Sequence, residues 1–290
     1  MTITIGSNIP SLNAQRQLGA STGALNRVFE RLSSGSRINN ASDDAAGLTI
    51  ADSLRSDAKV AGVGIRNASD GLSYISIADG AMSEIGGVLN RLAELAQQSA
   101  NGVYSSTQRS ALQNEFSSLG SEIERIAVTT AFNSVILLSS GATTNLQVGF
   151  NGTSTSQLTI TNVRATLQAL NLAASGSSVQ VYSLTDSTGA SDTNAQSAAR
   201  LALDAVNRAI GSLSSTRGTL GAAESRLRTS ISNLSITREN YLSAESRIRD
   251  TDVASDAAEL TRLNILQQAG SSILAQANQQ PQIALSLLRG

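Results

Sequence analysis

The stretch Val206–Ile248 reads VNRAIGSLSSTRGTLGAAESRLRTSISNLSITRENYLSAESRI, and its spacing decides the fold. Val206, Leu213, Leu220, Leu227, Leu234, Tyr241 and Ile248 recur every seven residues. Three residues after each of the first six stands a small side chain: Ala209, Thr216, Ala223, Ser230, Thr237 and Ala244. A sustained seven-residue repeat with two inward positions is the mark of a helix that packs along another helix. Large side chains at one position and small ones at the other favour close approach of the two backbones. The spacing predicts one long helix from Ala199 to Ile248.

Working outward, the N-terminal half supplies a partner. Leu54, Ala61, Ala68, Ile75, Met82, Leu89 and Ala96 also step by seven. The second inward position drifts from Ala58, Ile65 and Leu72 to Ala78, Ile85 and Leu92, as a 3.6-residue helix does against a 3.5-residue repeat. Ser42 is placed to cap this helix, Asp43 and Asp44 put negative charge in its first turn, and Asn101-Gly102 ends it. Leu112, Phe116, Leu119, Ile123 and Ile126 mark a third, shorter helix.

The middle reads differently. Residues 139–192 are rich in Ser, Thr, Gly and Asn, with few charges. Leu146, Val148 and Phe150 alternate with polar residues, Asn151-Gly152 turns, and Leu158 and Ile160 alternate again. That pattern predicts a β-hairpin with a long loop. A weaker strand is expected at Val179–Leu184. The fold class is therefore mainly α, an elongated multi-helix coiled-coil bundle with a small β-hairpin region in the middle.

The ends carry a second helical pair. Leu18, Leu25 and Leu32 step by seven near the start. At the other end Leu263, Leu266, Gly270, Ile273, Ala277, Gln280, Ala284 and Leu287 follow a 3-4 spacing. Both seams are narrow and rich in Ala and Gln. Burying so little apolar surface hardly offsets the cost of ordering the chain, about 1–2 kcal/mol for each backbone residue. Such ends are expected to fold on meeting other copies. Leu18, Leu25, Leu32, Leu263, Leu266, Ile273, Ala277 and Leu287 are the candidate polymerisation seam. The expected division is 1–43 with 255–290 as the terminal pair, 44–138 with 193–254 as the bundle, and 139–192 as the middle.

Composition narrows the chemistry. The 290 residues include no His and no Cys, so imidazole bases, thiolates, zinc clusters and disulfides have no residues to build on. Lys59 is the only lysine, and no Gly-rich phosphate loop surrounds it. Aromatic residues make up only 3%, and net charge is −1. Arginines are scattered singly, which gives no nucleic-acid footprint. No apolar run approaches the roughly 20 residues that span a bilayer. Met1-Thr-Ile-Thr-Ile-Gly lacks the parts of a cleaved secretory signal. No cofactor is expected, and a structural protein fits better than an enzyme.

Two stretches carry a resemblance. Leu32-Ser-Ser-Gly-Ser-Arg-Ile-Asn-Asn-Ala-Ser-Asp-Asp-Ala-Ala-Gly47 resembles the N-terminal signature of bacterial flagellins. Ile265-Leu-Gln-Gln-Ala-Gly-Ser-Ser-Ile-Leu-Ala-Gln-Ala-Asn-Gln-Gln-Pro-Gln282 is similar to the C-terminal one, and Ser246-Arg-Ile-Arg-Asp-Thr-Asp252 adds a further match. The resemblance implies an extracellular filament subunit whose paired ends line a central channel, exported unfolded through the flagellar type III apparatus. It implies partners as well: other flagellin copies, an export chaperone, the cap and the hook-associated proteins. Hook–filament junction proteins share the end pairing, and a cytoplasmic coiled-coil scaffold is the other alternative. Asn90-Arg-Leu-Ala-Glu-Leu-Ala-Gln97 resembles the motif by which the vertebrate toll-like receptor for flagellin detects some members. That resemblance makes Arg91, Glu94 and Leu95 candidate receptor contacts, with Leu95 expected at the edge of the helix seam.

Overall fold

The computed structural model describes residues 8–139, 141, 143–161, 163–185 and 192–289, with side chains for all of these except 192 and 282–289. Five helices run in order: α1 (Ile9–Ser34), α2 (Ala45–Ala100), α3 (Ser106–Thr129), α4 (Asp192–Arg249) and α5 (Val253–Arg289). Between α3 and α4 lie two antiparallel strand pairs, β1 (Ala131–Phe132) with β2 (Val135–Ile136), and β3 (Thr144–Gln147) with β4 (Gln157–Ile160). The mainly helical fold with a small β region is as the repeats predict. Contacts divide the chain into two compact units, Met1–Ala58 with Glu239–Gly290, and Lys59–Arg238. The division falls inside α2 and α4 rather than at the breaks between helices.

The unit Lys59–Arg238 holds the main core. The heptad positions Val206, Leu213, Leu220, Leu227 and Leu234 of α4 are buried, as are Ala61, Ala68, Ile75, Met82, Leu89 and Ala96 of α2. Ile65 and Leu72 are only half-buried while Gly71 and Tyr74 are buried, so the α2 seam drifts as its period requires. Small residues set the spacing. A side chain at Gly71 would collide with Leu146 of β3 and press on Leu227 of α4. On α3, Phe116, Ile123 and Ala127 are buried in the same core.

Helix α3 starts on a capping box: the Ser105 hydroxyl accepts from the Gln108 N–H, and the Gln108 side chain accepts from the Ser105 N–H. It also carries a residue the sequence pattern does not reveal. Arg109 is fully buried, and its guanidinium donates to the carbonyls of Ser99, Asn101 and Tyr104. Those carbonyls belong to the end of α2 and the turn after it, where a helix leaves acceptors unpaired and partial negative charge accumulates. A fixed cation satisfies both.

The β region between α3 and α4 differs from expectation in three places. Pairing of β3 with β4 ends at Gln147–Gln157, so Val148 and Phe150 belong to the loop 148–156 and not to a strand. Val148 and Gly149 both donate to the Ser156 carbonyl, which closes the loop early. Residues 179–184 form no strand; an isolated bridge pairs Ala173 with Gln180, and the Val181 N–H donates to the Leu172 carbonyl. The β1–β2 hairpin is an addition, turning through Asn133 and Ser134 at φ 49° and 66°.

The stretch 163–185 contributes to the core: Val163, Ala165, Leu167, Leu170, Leu172 and Leu184 are all buried. Two side chains of α3 hold it. Gln113 accepts from the Leu184 N–H and the Ser183 hydroxyl, and Glu124 accepts from the Leu167 N–H. Gly120 lets this segment lie close to α3, because a Cβ there would displace the side-chain amide of Gln180.

Candidate assembly surface

The unit Met1–Ala58 with Glu239–Gly290 is built around a paired turn. Helix α1 begins at Asn8, whose side-chain oxygen accepts from the Ser11 N–H, and ends at Gly35 in the left-handed region at φ 72°. After that turn the chain meets the end of α4. Arg37 donates from its backbone N–H to the Arg249 carbonyl at 2.6 Å and from its guanidinium to the Ile248 carbonyl at 2.7 Å. The Thr251 N–H returns a bond to the Gly35 carbonyl. Ile38 is buried beneath.

Acidic residues start the helices that leave this junction. Asp44, not Ser42, caps α2, its carboxylate accepting from the Gly47 N–H at 2.8 Å. The reason is position: the helix begins at Ala45, and Gly47 is the third residue of its first turn. Asp43 lies outside the helix and accepts from the Asn40 and Asn39 N–H groups, which hold its carboxyl below the usual carboxylate range. Asp252 caps α5 by accepting from Ala254 and Ser255. The two runs that carry the resemblance near the ends, Leu32–Gly47 and Ser246–Asp252, are thus the two sides of one joint.

Beyond the joint, α1 and α5 pair along their lengths. Their core is small: Leu25, Val28 and Leu263, supported by Ala24, Leu32 and Leu260. Farther along, Gly270 faces Leu18. Asn8 donates to the Ala277 carbonyl, and the Ser11 hydroxyl donates to Asn278, both at 2.8 Å. Of the expected seam, Leu18, Leu25, Leu32, Leu263 and Ala277 face between the helices. Leu266 and Ile273 do not; they are 41% and 60% exposed. Inward positions run Leu263, Gln267, Gly270, Leu274 and Ala277, which keeps the 3-4 spacing and moves two members by one residue. One residue is 100° around a helix, enough to turn Leu266 and Ile273 outward. The side chain of Leu287 lies outside the described residues.

The outer surface of this pair is the less ordinary feature. Ile9, Leu12 and Phe29 on α1 and Val253, Ile265, Leu266 and Ile273 on α5 are all exposed. Leu266, Ala269 and Ile273 form one stripe of α5. Apolar side chains gathered on a face, over a core of only a few residues, mark a surface that another molecule covers.

The candidate receptor residues lie in the other unit. Arg91 and Glu94 are exposed on α2, and Arg91 is held on two sides, by Glu94 at 2.9 Å and by Glu115 of α3 at 2.8 Å. These hydrogen bonds, Glu94 first, raise the Arg91 pKa above its ordinary value. Leu95 is corrected: it is fully buried with Phe116 and Leu92 in the core cluster, not at an edge. The core reaches it because α2 is covered here by α3 as well as α4, which widens the buried stripe beyond one heptad seam. Among the described residues no cluster of three His, Cys, Asp or Glu could hold a metal ion, and no helix is long and apolar enough to cross a membrane.

A helical core in one unit and a thinly cored helix pair in the other, with no metal cluster among the described residues, fit a structural protein. Comparison with known proteins gives the family. The chain matches the bacterial flagellin N-terminal helical region over residues 5–144 and the C-terminal helical region over residues 203–288. It is 42% identical over 286 residues to flagellin of Halalkalibacterium halodurans, covering 98% of this chain and 99% of that one. Flagellin of Bacillus subtilis is 38% identical over 305 residues, with 98% and 99% covered. The flagellar filament 33 kDa core protein of Treponema phagedenis is 36% identical over 298 residues, with the same coverage. The chain belongs to the bacterial flagellin family, and it is a structural subunit of the flagellar filament.

Proposed function

We propose that this subunit polymerises through the outer face of the α1–α5 pair, with Leu12, Leu266 and Ile273 as contacts to neighbouring copies. The observation that supports this is the exposure of Leu266 and Ile273 over a core of three buried residues. Apolar burial yields about 25 cal/mol per Å², and a thin pair gains from neighbours what it lacks inside. Inner-facing Leu18, Leu25, Leu32, Leu263 and Ala277 set the pair, and the outward residues assemble it. The resulting polymer is the hollow propeller of motility.

The same exposed stripe suits the hold of an export chaperone before assembly, and the cap and hook-associated proteins at the two ends of the polymer. Export proceeds through the flagellar type III apparatus to the cell exterior. Recognition by the vertebrate receptor rests on Arg91 and Glu94 at the surface, with Leu95 supporting them from within.

The test is seeded polymerisation followed by electron microscopy, using Leu266→Asp and Ile273→Asp. Both variants are expected to keep the circular dichroism and melting of the parent and to form no filaments. Filaments of normal length from both variants would overturn the assignment.

A further inference from the structure

The sequence holds two Asn-Gly steps, Asn101-Gly102 and Asn151-Gly152, and the structure places them in opposite circumstances. An Asn side chain can be lost without an enzyme when the next residue's backbone nitrogen reaches its Cγ. Glycine at that next position offers no side chain to obstruct the approach. The limiting factor is then how firmly the intervening peptide is held.

At Asn101 it is held firmly. Its carbonyl accepts from the buried Arg109 guanidinium at 3.0 Å, its N–H donates to the Gln98 carbonyl, and its side-chain oxygen accepts from the Val103 N–H. Gly102 is crowded besides, because a Cβ there would meet Gln196 at 3.1 Å. At Asn151 the peptide sits in the exposed loop 148–156. Its carbonyl accepts from the Gln147 amide at 2.7 Å, a neutral group that also serves the Gly149 carbonyl. Its N–H donates to the Ser156 hydroxyl at 3.3 Å. Nothing lies within 4 Å of a Cβ built at Gly152. Water competes with these neutral exposed bonds far better than with a buried cation.

We infer that Asn151 is a site of spontaneous deamidation and that Asn101, the same dipeptide, is protected by Arg109. Hydroxide takes the proton from the Gly152 nitrogen, which attacks Cγ of Asn151. The C–N bond to the side-chain amide breaks, and ammonia leaves with a proton from water. The five-membered succinimide then adds water at one of its two carbonyls, giving Asp or isoaspartate. The net change is gain of water and loss of ammonia, with one negative charge added to the loop. IsoAsp also adds a methylene to the backbone there, while the β3–β4 register below is fixed by its own ladder. The subunit thereby acquires a covalent mark of age at the tip of its middle segment.

The experiment is incubation of the intact chain at mildly alkaline pH, with digestion and mass spectrometry at intervals. The peptide holding Asn151 is expected to gain one mass unit at a rate about tenfold or more above that holding Asn101, the order of effect that held geometry exerts. Gly152→Ala should suppress the change. Arg109→Met, with folding checked by circular dichroism, should raise the rate at Asn101 toward that at Asn151. Equal rates at both sites in the parent chain, or no change at Asn151, would overturn the proposal.

Discussion

The two units are made of the same kind of helix and differ in what fills the space between. In Lys59–Arg238 the seam carries Ile75, Met82, Ile85, Leu89 and Leu92 against Val206, Leu213, Leu220 and Leu227, all buried. In the terminal unit the α1–α5 pair buries Leu25, Val28 and Leu263. At about 1.5–3 kcal/mol for each large side chain fully buried, the first seam gains roughly three times what the second does. The terminal pair leaves Ile9, Leu12, Phe29, Ile265 and Ile273 exposed over that thin core, whereas the exposed Val103, Val181 and Leu201 of the central unit lie over a large one. The first seam is filled within the chain. On the proposed reading, the second is completed by neighbouring copies.

A substitution in the finished core should have the largest effect. Leu227→Asp puts an unpaired carboxylate between packed helices and is expected to cost several kcal/mol, on the order of 4, enough to unfold the unit. Chemical denaturation followed by circular dichroism measures this. A loss under about 1 kcal/mol would remove the contrast between the units, because such tolerance belongs to surface positions.

Arg109→Met should come next. It keeps the aliphatic stem and leaves buried carbonyls of the α2–α3 turn without a donor, at a cost of about 2 kcal/mol. The same denaturation curve reports it, with the midpoint lowered and the slope unchanged. An unchanged midpoint would mean that water replaces the guanidinium at no cost.

How much of this was legible in the sequence depends on whether a residue's partner has a period. The α4 heptads and their α2 partners are periodic on both sides, and the structure buries the first inward position as spaced from Ala61 to Ala96 and from Val206 to Leu234. Arg109 contacts backbone carbonyls, which leave no mark in a sequence. The stretch 163–185 buries six apolar residues without helix or strand period, so its pattern offered only the weak strand at 179–184. Leu95 was missed because a single heptad seam has one buried stripe, and here two helices cover α2.

The displacement at Leu266 and Ile273 has a different cause. Heptad reading assigns each apolar residue to one partner helix. On α5 the inward positions include Gln267 and Gly270, and apolar side chains beside them serve the outside. In a polymer subunit a periodic apolar residue has two destinations. Spacing alone does not choose between them.

A smaller effect within the central unit depends on pH. Arg217 of α4 and Asp79 of α2 form a two-bond ion pair at 2.7 and 3.1 Å in the central unit. The Arg217 hydrogen bond holds the Asp79 carboxyl below its ordinary value of 3.8. The pair's contribution is therefore complete above the unfolded value and is lost as pH falls through the lower folded one. Both partners are about two-fifths exposed, so solvent screens the pair and the contribution is about 0.2–1 kcal/mol. Asp79→Asn should lower the midpoint by that amount at neutral pH and leave it unchanged near pH 2, and equal losses at both would show that the charge is not the cause.

The contrast between a finished unit and an unfinished one is tested most directly by amide hydrogen exchange on monomer and filament. The account predicts fast exchange in α1 and in α5 from Val253 onward in the dilute monomer, and slow exchange for residues 68–96 and 202–227. In the filament α1 and α5 should become protected by at least two orders of magnitude, while the central unit changes little. Protection of α1 and α5 in the monomer equal to that of residues 68–96 would contradict it, because the end pair would then be stable without neighbours.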